Sequence, residues 1–193
     1  MHENNFLQVR SFARTLVAQI DAASTVGAST RIGVITYSNE IIERVRLSQN
    51  LAQLEVDSLI EESVYQGSIT RMHHALEAAS DQFNDPTDVR YNDDTVSRSV
   101  VLFTDGYPHD DKNPIRESNS TVLRYIQTEF LDKEIFVYVL GVHRVNDAFV
   151  NHVSMQQFGG GGLIDTFDEL GQFPSQVMQA LDISCEPPRG TYS

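Results

Sequence analysis

The 193-residue chain has no tryptophan and a single cysteine, Cys185. One thiol cannot close an internal disulfide, and the count alone leaves the redox compartment open. No run of about 18 apolar residues occurs, so nothing reads as a membrane-spanning helix. The opening Met-His-Glu-Asn-Asn-Phe lacks the basic and apolar segments of a signal peptide. Basic residues are scarce, 14 Lys and Arg against 27 Asp and Glu, for a net charge of −13. That balance opposes nucleic acid and anionic membrane surfaces, because both would be repelled. Enzyme fingerprints are missing too: there is no Gly-x-Gly-x-x-Gly entering a helix, no Gly-Lys-Ser/Thr and no Gly-x-Ser-x-Gly.

What remains is ordinary for a globular domain. With 40% hydrophobic and 21% charged residues over 193 positions, the chain can bury one sizeable core. Phe6, Val9, Ala13, Leu16, Val17 and Ile20 recur at helical spacing, predicting an amphipathic helix over about residues 4 to 22. Arg31 to Tyr37 is dense in β-branched residues and reads as a strand. Ser38-Asn39 turns the chain, and Ile41 to Leu47 alternates as an antiparallel edge strand does. A short helix carrying Leu51, Leu54, Val56 and Leu59 follows, capped by Asn50. A second helix buries Met72, Ala75, Leu76, Ala79 and Phe83.

Asn84 to Ser97 is polar and predicts a surface loop; Val100 to Phe103 predicts a strand buried on both faces. After a helix marked by Val122, Ile126 and Phe130 comes a buried strand, Glu134 to Gly141, and a short helix, Val145 to Met155. Gly159 to Gly162 reads as a flexible link to a weak strand, Leu163 to Thr166. The last helix carries Leu170, Phe173, Val177, Met178 and Leu181, with Pro174 tolerable in its first turn. Strands alternating with helices give an α/β class, doubly wound, with a mostly parallel sheet and one antiparallel edge strand.

Candidate chemistry concentrates at two points. Asp105 follows the strand Val100 to Phe103, where ligands bind in open parallel sheets. Asp105-Gly106 equally suits a plain turn, and on these residues alone both readings stand. Thr70 lies in the loop Gly67-Ser68-Ile69-Thr70, which leads into a helix. A hydroxyl and a carboxylate are hard oxygen donors suited to Mg²⁺, Mn²⁺ or Ca²⁺. His73 and His74 are adjacent on a helix and point about 100° apart, so they do not share a metal. His109 beside Asp110-Asp111 is a secondary cluster of low specificity.

Four segments in order are Arg-Ile-Gly-Val-Ile-Thr-Tyr-Ser, Gly-Ser-Ile-Thr-x-x-x-x-Ala-Leu, Val-Val-Leu-Phe-Thr-Asp-Gly and Ile-Phe-Val-Tyr-Val-Leu-Gly-Val. Together they resemble the von Willebrand factor type A domain. The resemblance spans about residues 4 to 182, leaving 183 to 193 as a C-terminal tail. It implies a Rossmann-like fold and a non-enzymatic adhesion module with a metal-ion-dependent adhesion site. There a divalent cation takes an acidic side chain from a protein ligand. By that resemblance Thr70 ligates the metal directly, or through water on rearrangement. Asp105 accepts hydrogen bonds from metal-bound water, and Gly67, Ser68, Tyr107 and His109 border the ligand face.

The sequence departs from the family in one large respect. The first, central strand and the Asp-x-Ser-x-Ser loop expected before the helix near Asn5 are not found. The expectation is therefore a domain truncated at its N-terminal side that binds metal weakly. Ser68-Ile69 and Met72-His73 also replace the family's usual residues around the threonine. Cys185 stands where many secreted members carry a cysteine after the last helix. Asn119-Ser120-Thr121 is a glycosylation sequon, and both features fit an extracellular origin. The alternatives are a spacer or assembly module of a matrix protein without a working metal site, and an intracellular subunit of a larger, ATPase-linked complex.

Overall fold

The computed structural model describes residues 3–23, 30–67, 70–88, 90, 93, 95–104, 119–142 and 147–184. In chain order these form α1 (Glu3–Ala23), β1 (Val34–Tyr37), β2 (Ile41–Val45), α2 (Gln53–Glu61) and α3 (Met72–Phe83). Then come β3 (Ser99–Thr104), α4 (Asn119–Glu129), β4 (Phe136–Val142), α5 (Asp147–Ser154), β5 (Gly159–Ile164) and α6 (Pro174–Ser184). The mixed α/β architecture expected from the sequence is present.

Hydrogen bonding divides the strands into two ladders. β1 and β2 pair antiparallel, with Thr36 opposite Ile42 and Tyr37 opposite Ile41. β3, β4 and β5 form a parallel sheet in that order. Every residue of β4 is buried, which is why its sequence is a continuous apolar run. Its side chains alternate between two cores. Val137 and Val139 face Met72 and Leu76 of α3, Val122 and Ile126 of α4, and Phe149, Val150 and Val153 of α5. Tyr138, Leu140 and Val142 face Phe12 and Leu16 of α1 and Val177 of α6.

A third core joins Val17 of α1 to Val45 of β2 and to Val56 and Ile60 of α2. Helix α1 thus packs on both ladders, through Phe12 and Leu16 on one and Val17 on the other. Two short elements differ from the sequence reading. Asn50 adopts a left-handed conformation (φ 49°) at the end of a short 3₁₀ turn. The first turn of α2 is closed instead by Glu55, whose carboxylate accepts from the Ala52 N–H at 3.0 Å.

The four glycines at 159–162 are strand, not link. Intrinsic preference disfavours glycine in a strand, but here the neighbours leave no room for more. A Cβ on Gly159 would overlap the carbonyl oxygen of Val153, and one on Gly161 would lie 2.9 Å from Val150 Cγ1, both at α5. On the opposite face a Cβ on Gly160 would come within 2.8 Å of the Tyr138 ring. The bare strand lets a helix and an aromatic ring both close on it.

Candidate functional site

The ends of β1 and β3 meet at one edge of the molecule. Tyr37, the last residue of β1, reaches across to β3, and its hydroxyl donates to the Phe103 carbonyl at 2.7 Å. Thr104, which ends β3, is buried. The next residue after Tyr37 extends the arrangement to α3: the Arg71 N–H donates to the Ser38 carbonyl at 3.3 Å. Arg71 precedes the first turn of α3, and Thr70 precedes Arg71. A connected path therefore runs from Thr70 through Arg71, Ser38 and Tyr37 to Phe103 and Thr104.

The loop before α3 is held to the same point. Ser38 Oγ lies 3.4 Å from the Gln66 carbonyl, which accepts its hydrogen bond. The Gln66 side-chain oxygen Oε1 is buried and has no hydrogen-bond donor among the described residues. A buried acceptor of this kind is met in solution by water or a cation, or it costs stability. Gly67 sits over Tyr65, where a Cβ would stand 2.8 Å from the ring, and Tyr65 in turn packs on Phe6 of α1 at 5.9 Å between ring centres.

Of the residues singled out from sequence, Thr70 and Gly67 are placed on this edge. Ser68, Asp105, Tyr107 and His109 lie outside the described residues. Thr104 brings the chain to the edge immediately before Asp105. Of the two adjacent histidines, His73 is packed and His74 is exposed. The His73 ring makes an edge contact with Tyr125 at 4.7 Å, and its Nε2 is 3.7 Å from Glu77. Burial pushes the Tyr125 hydroxyl above its ordinary pKa.

Sequence reading missed Tyr37, Ser38 and Gln66 as parts of the edge. Ser38 showed only as a turn residue, and it is one: its N–H donates to Glu40 O at 3.0 Å. The available signal was the polar Thr-Tyr-Ser closing an otherwise apolar strand. Among the described residues no group of three His, Cys, Asp or Glu side chains converges where a metal could be held. The oxygen donors that the described residues bring to this edge are hydroxyls and carbonyls, which suit a hard ion that keeps several waters.

The model of the von Willebrand factor type A domain family matches residues 1–160. The chain belongs to that family. This type A domain is 25% identical over 171 residues to the human collagen alpha-5(VI) chain, covering 86% of itself and 6% of that protein. It superposes on proximal thread matrix protein 1 from the mussel byssus with a TM-score of 0.72 at 17% identity, covering 95% of itself and 44% of that chain. A second structure of the mussel protein, described as having a zinc-occupied MIDAS motif, matches with a TM-score of 0.72 at 18% identity. By name these relatives are matrix proteins, and the type A domain spans a small part of one and under half of the other. No helix among the described residues is long and apolar enough to cross a membrane.

Proposed function

We propose that this type A domain is a non-enzymatic ligand-binding module of an extracellular matrix protein, acting through a divalent-cation-dependent face at the β1/β3 edge. The module spans residues 4–182, with 183–193 as its tail. The observation that carries the reading is the linkage of Thr70, through Arg71 and Ser38, to the end of β3, where Asp105 follows. Thr70 and Asp105 would hold Mg²⁺ or Mn²⁺, and the ion would supply an open coordination position for an acidic side chain of a protein ligand. Gly67, Ser68, Tyr107 and His109 would line the approach. The matrix relatives support the extracellular assignment.

Two oxygen donors make a weak site, because affinity for a hard cation falls with the number of charged ligands. Isothermal titration of the chain with Mn²⁺ is expected to give sub-millimolar to millimolar binding that Thr70→Ala and Asp105→Ala each reduce at least threefold. Absence of binding, or binding indifferent to both substitutions, would overturn the assignment.

A further inference from the structure

Among the described residues β5 is the outer strand of its sheet, paired only with β4. The Val137 N–H donates to the Phe158 carbonyl at 3.0 Å. Successive residues of a strand turn to opposite sides, so Gly160, Gly162 and Ile164 also address β4, while Gly159, Gly161 and Leu163 turn outward. The Gly159 N–H is taken by the Gln156 carbonyl at 3.1 Å. The other outward groups are the N–H groups of Gly161 and Leu163 and the carbonyls of all three residues. No strand among the described residues lies beside them.

Natural edges are commonly blunted by charge, proline or a bulge. From Val153 to Ile164 there is neither a charged residue nor a proline, in a chain of net charge −13. Two exposed hydrophobic side chains occur there instead, Met155 ahead of the strand at 83% and Leu163 within it at 42% exposure.

The geometry points to a second copy of this chain as the occupant, with β5 paired to β5 in antiparallel fashion about a two-fold axis at Gly161. In that register each Gly161 N–H donates to the other copy's Gly161 carbonyl, and each Leu163 N–H donates to the other copy's Gly159 carbonyl. Leu163 lies on the α5 face of the strand and, at 42% exposure, is open to the second copy. Asp165 falls opposite Gln157, so no like charges meet across the pairing.

The helices also fit. The α5 residues pack on Val137 and Val139 of β4 and on Gly161 of β5, so α5 lies over the seam between those strands. Two such helices, related across a new strand pair, stand roughly 9.5 Å apart, the ordinary spacing of packed helices. This contact uses neither the cation nor the β1/β3 edge. One strand pair with its helices falls near or below the roughly 1,200 Å² of stable specific interfaces, so association is weak and concentration-dependent. Salt screens the net charge and strengthens it.

Sedimentation velocity over roughly 10 µM to 1 mM, at about 0.05 and 0.5 M NaCl, tests the proposal. The expected result is a shift from monomer toward twice its mass, larger at high salt. Leu163→Lys, at an exposed position, should weaken it at least tenfold, and Leu54→Lys on α2 should leave it unchanged. Circular dichroism checks that both variants fold. Amide exchange at residues 159–164 should slow as concentration rises. A chain monomeric throughout, a Leu163→Lys variant that associates like the wild type, or protection confined to another surface would each overturn it.

Discussion

Tyr37 carries more of the architecture than its place at the end of a four-residue strand suggests. Its ring packs in the core beneath α3 and α4, and its hydroxyl bridges two strands that share no ladder. Removing that hydroxyl leaves the Phe103 carbonyl short of a donor while sparing the packing. Tyr37→Phe is therefore expected to cost about 0.5–1.5 kcal/mol, read as a lower urea midpoint with an unchanged slope. Because the bond holds the end of β3 in place, the same variant should weaken Mn²⁺ binding without removing either proposed ligand. The importance of this residue was hidden in the sequence. Tyrosine at a strand end is ordinary, and its acceptor lies 66 positions away. Thr70 was visible because a hydroxyl just before an amphipathic helix is a local pattern.

Among the elements, the pairing of α1 with α2 shows how the acidic composition is put to use. Arg14 grips Asp57 through two hydrogen bonds, Nε to Oδ1 at 2.7 Å and Nη2 to Oδ2 at 2.9 Å. Arg10 reaches Glu61 at 2.9 Å and also the backbone at the end of α2. The hydrogen bond from Arg14, aided by its charge, holds the Asp57 carboxyl below its usual pKa against an opposing desolvation. Asp85 and Asp93 are lowered likewise, chiefly by the hydroxyls of Thr87 and Thr95.

A carboxyl depressed in the folded state contributes stability above its unfolded pKa and loses it as pH falls through the folded one. Stability should thus hold down to about pH 4 and decline below it. Asp57→Asn should flatten part of that decline, and urea titrations between about pH 5 and 2.5 would show it. These side chains are solvent-accessible, so the contribution is modest.

The same scale shows where periodicity succeeds and fails. β4 was legible because burial on both faces demands an unbroken apolar run. Residues 72, 75, 76, 79 and 83 of α3 were legible because one helical face is packed. β5 was not, since four glycines carry no apolar signal. Its conformation is imposed by Val153, Val150 and Tyr138, which approach too closely for any side chain.

At the level of the whole molecule, two ladders share a clasp. α1 is packed on the parallel ladder through Phe12 and Leu16 and on the β1–β2 side through Val17. Phe12→Ala is expected to cost ~3–5 kcal/mol. The loss should appear together in amide exchange of β2 and of β4, because neither ladder keeps its cover when α1 loosens. Faster exchange confined to β4 would show that the ladders unfold independently. The α/β class followed from the alternation of patterns, but the division into two ladders did not. Strand patterns report burial, and they do not say which edges meet.

The clasp also sets an order in time. Phe12 and Leu16 leave the ribosome well before their partners Tyr138, Leu140 and Val177 are made. At ordinary synthesis rates the apolar stripe of α1 waits on the order of ten to thirty seconds for its cover. Throughout that interval it is a ready target for chaperones, and for the same stripe on neighbouring nascent chains.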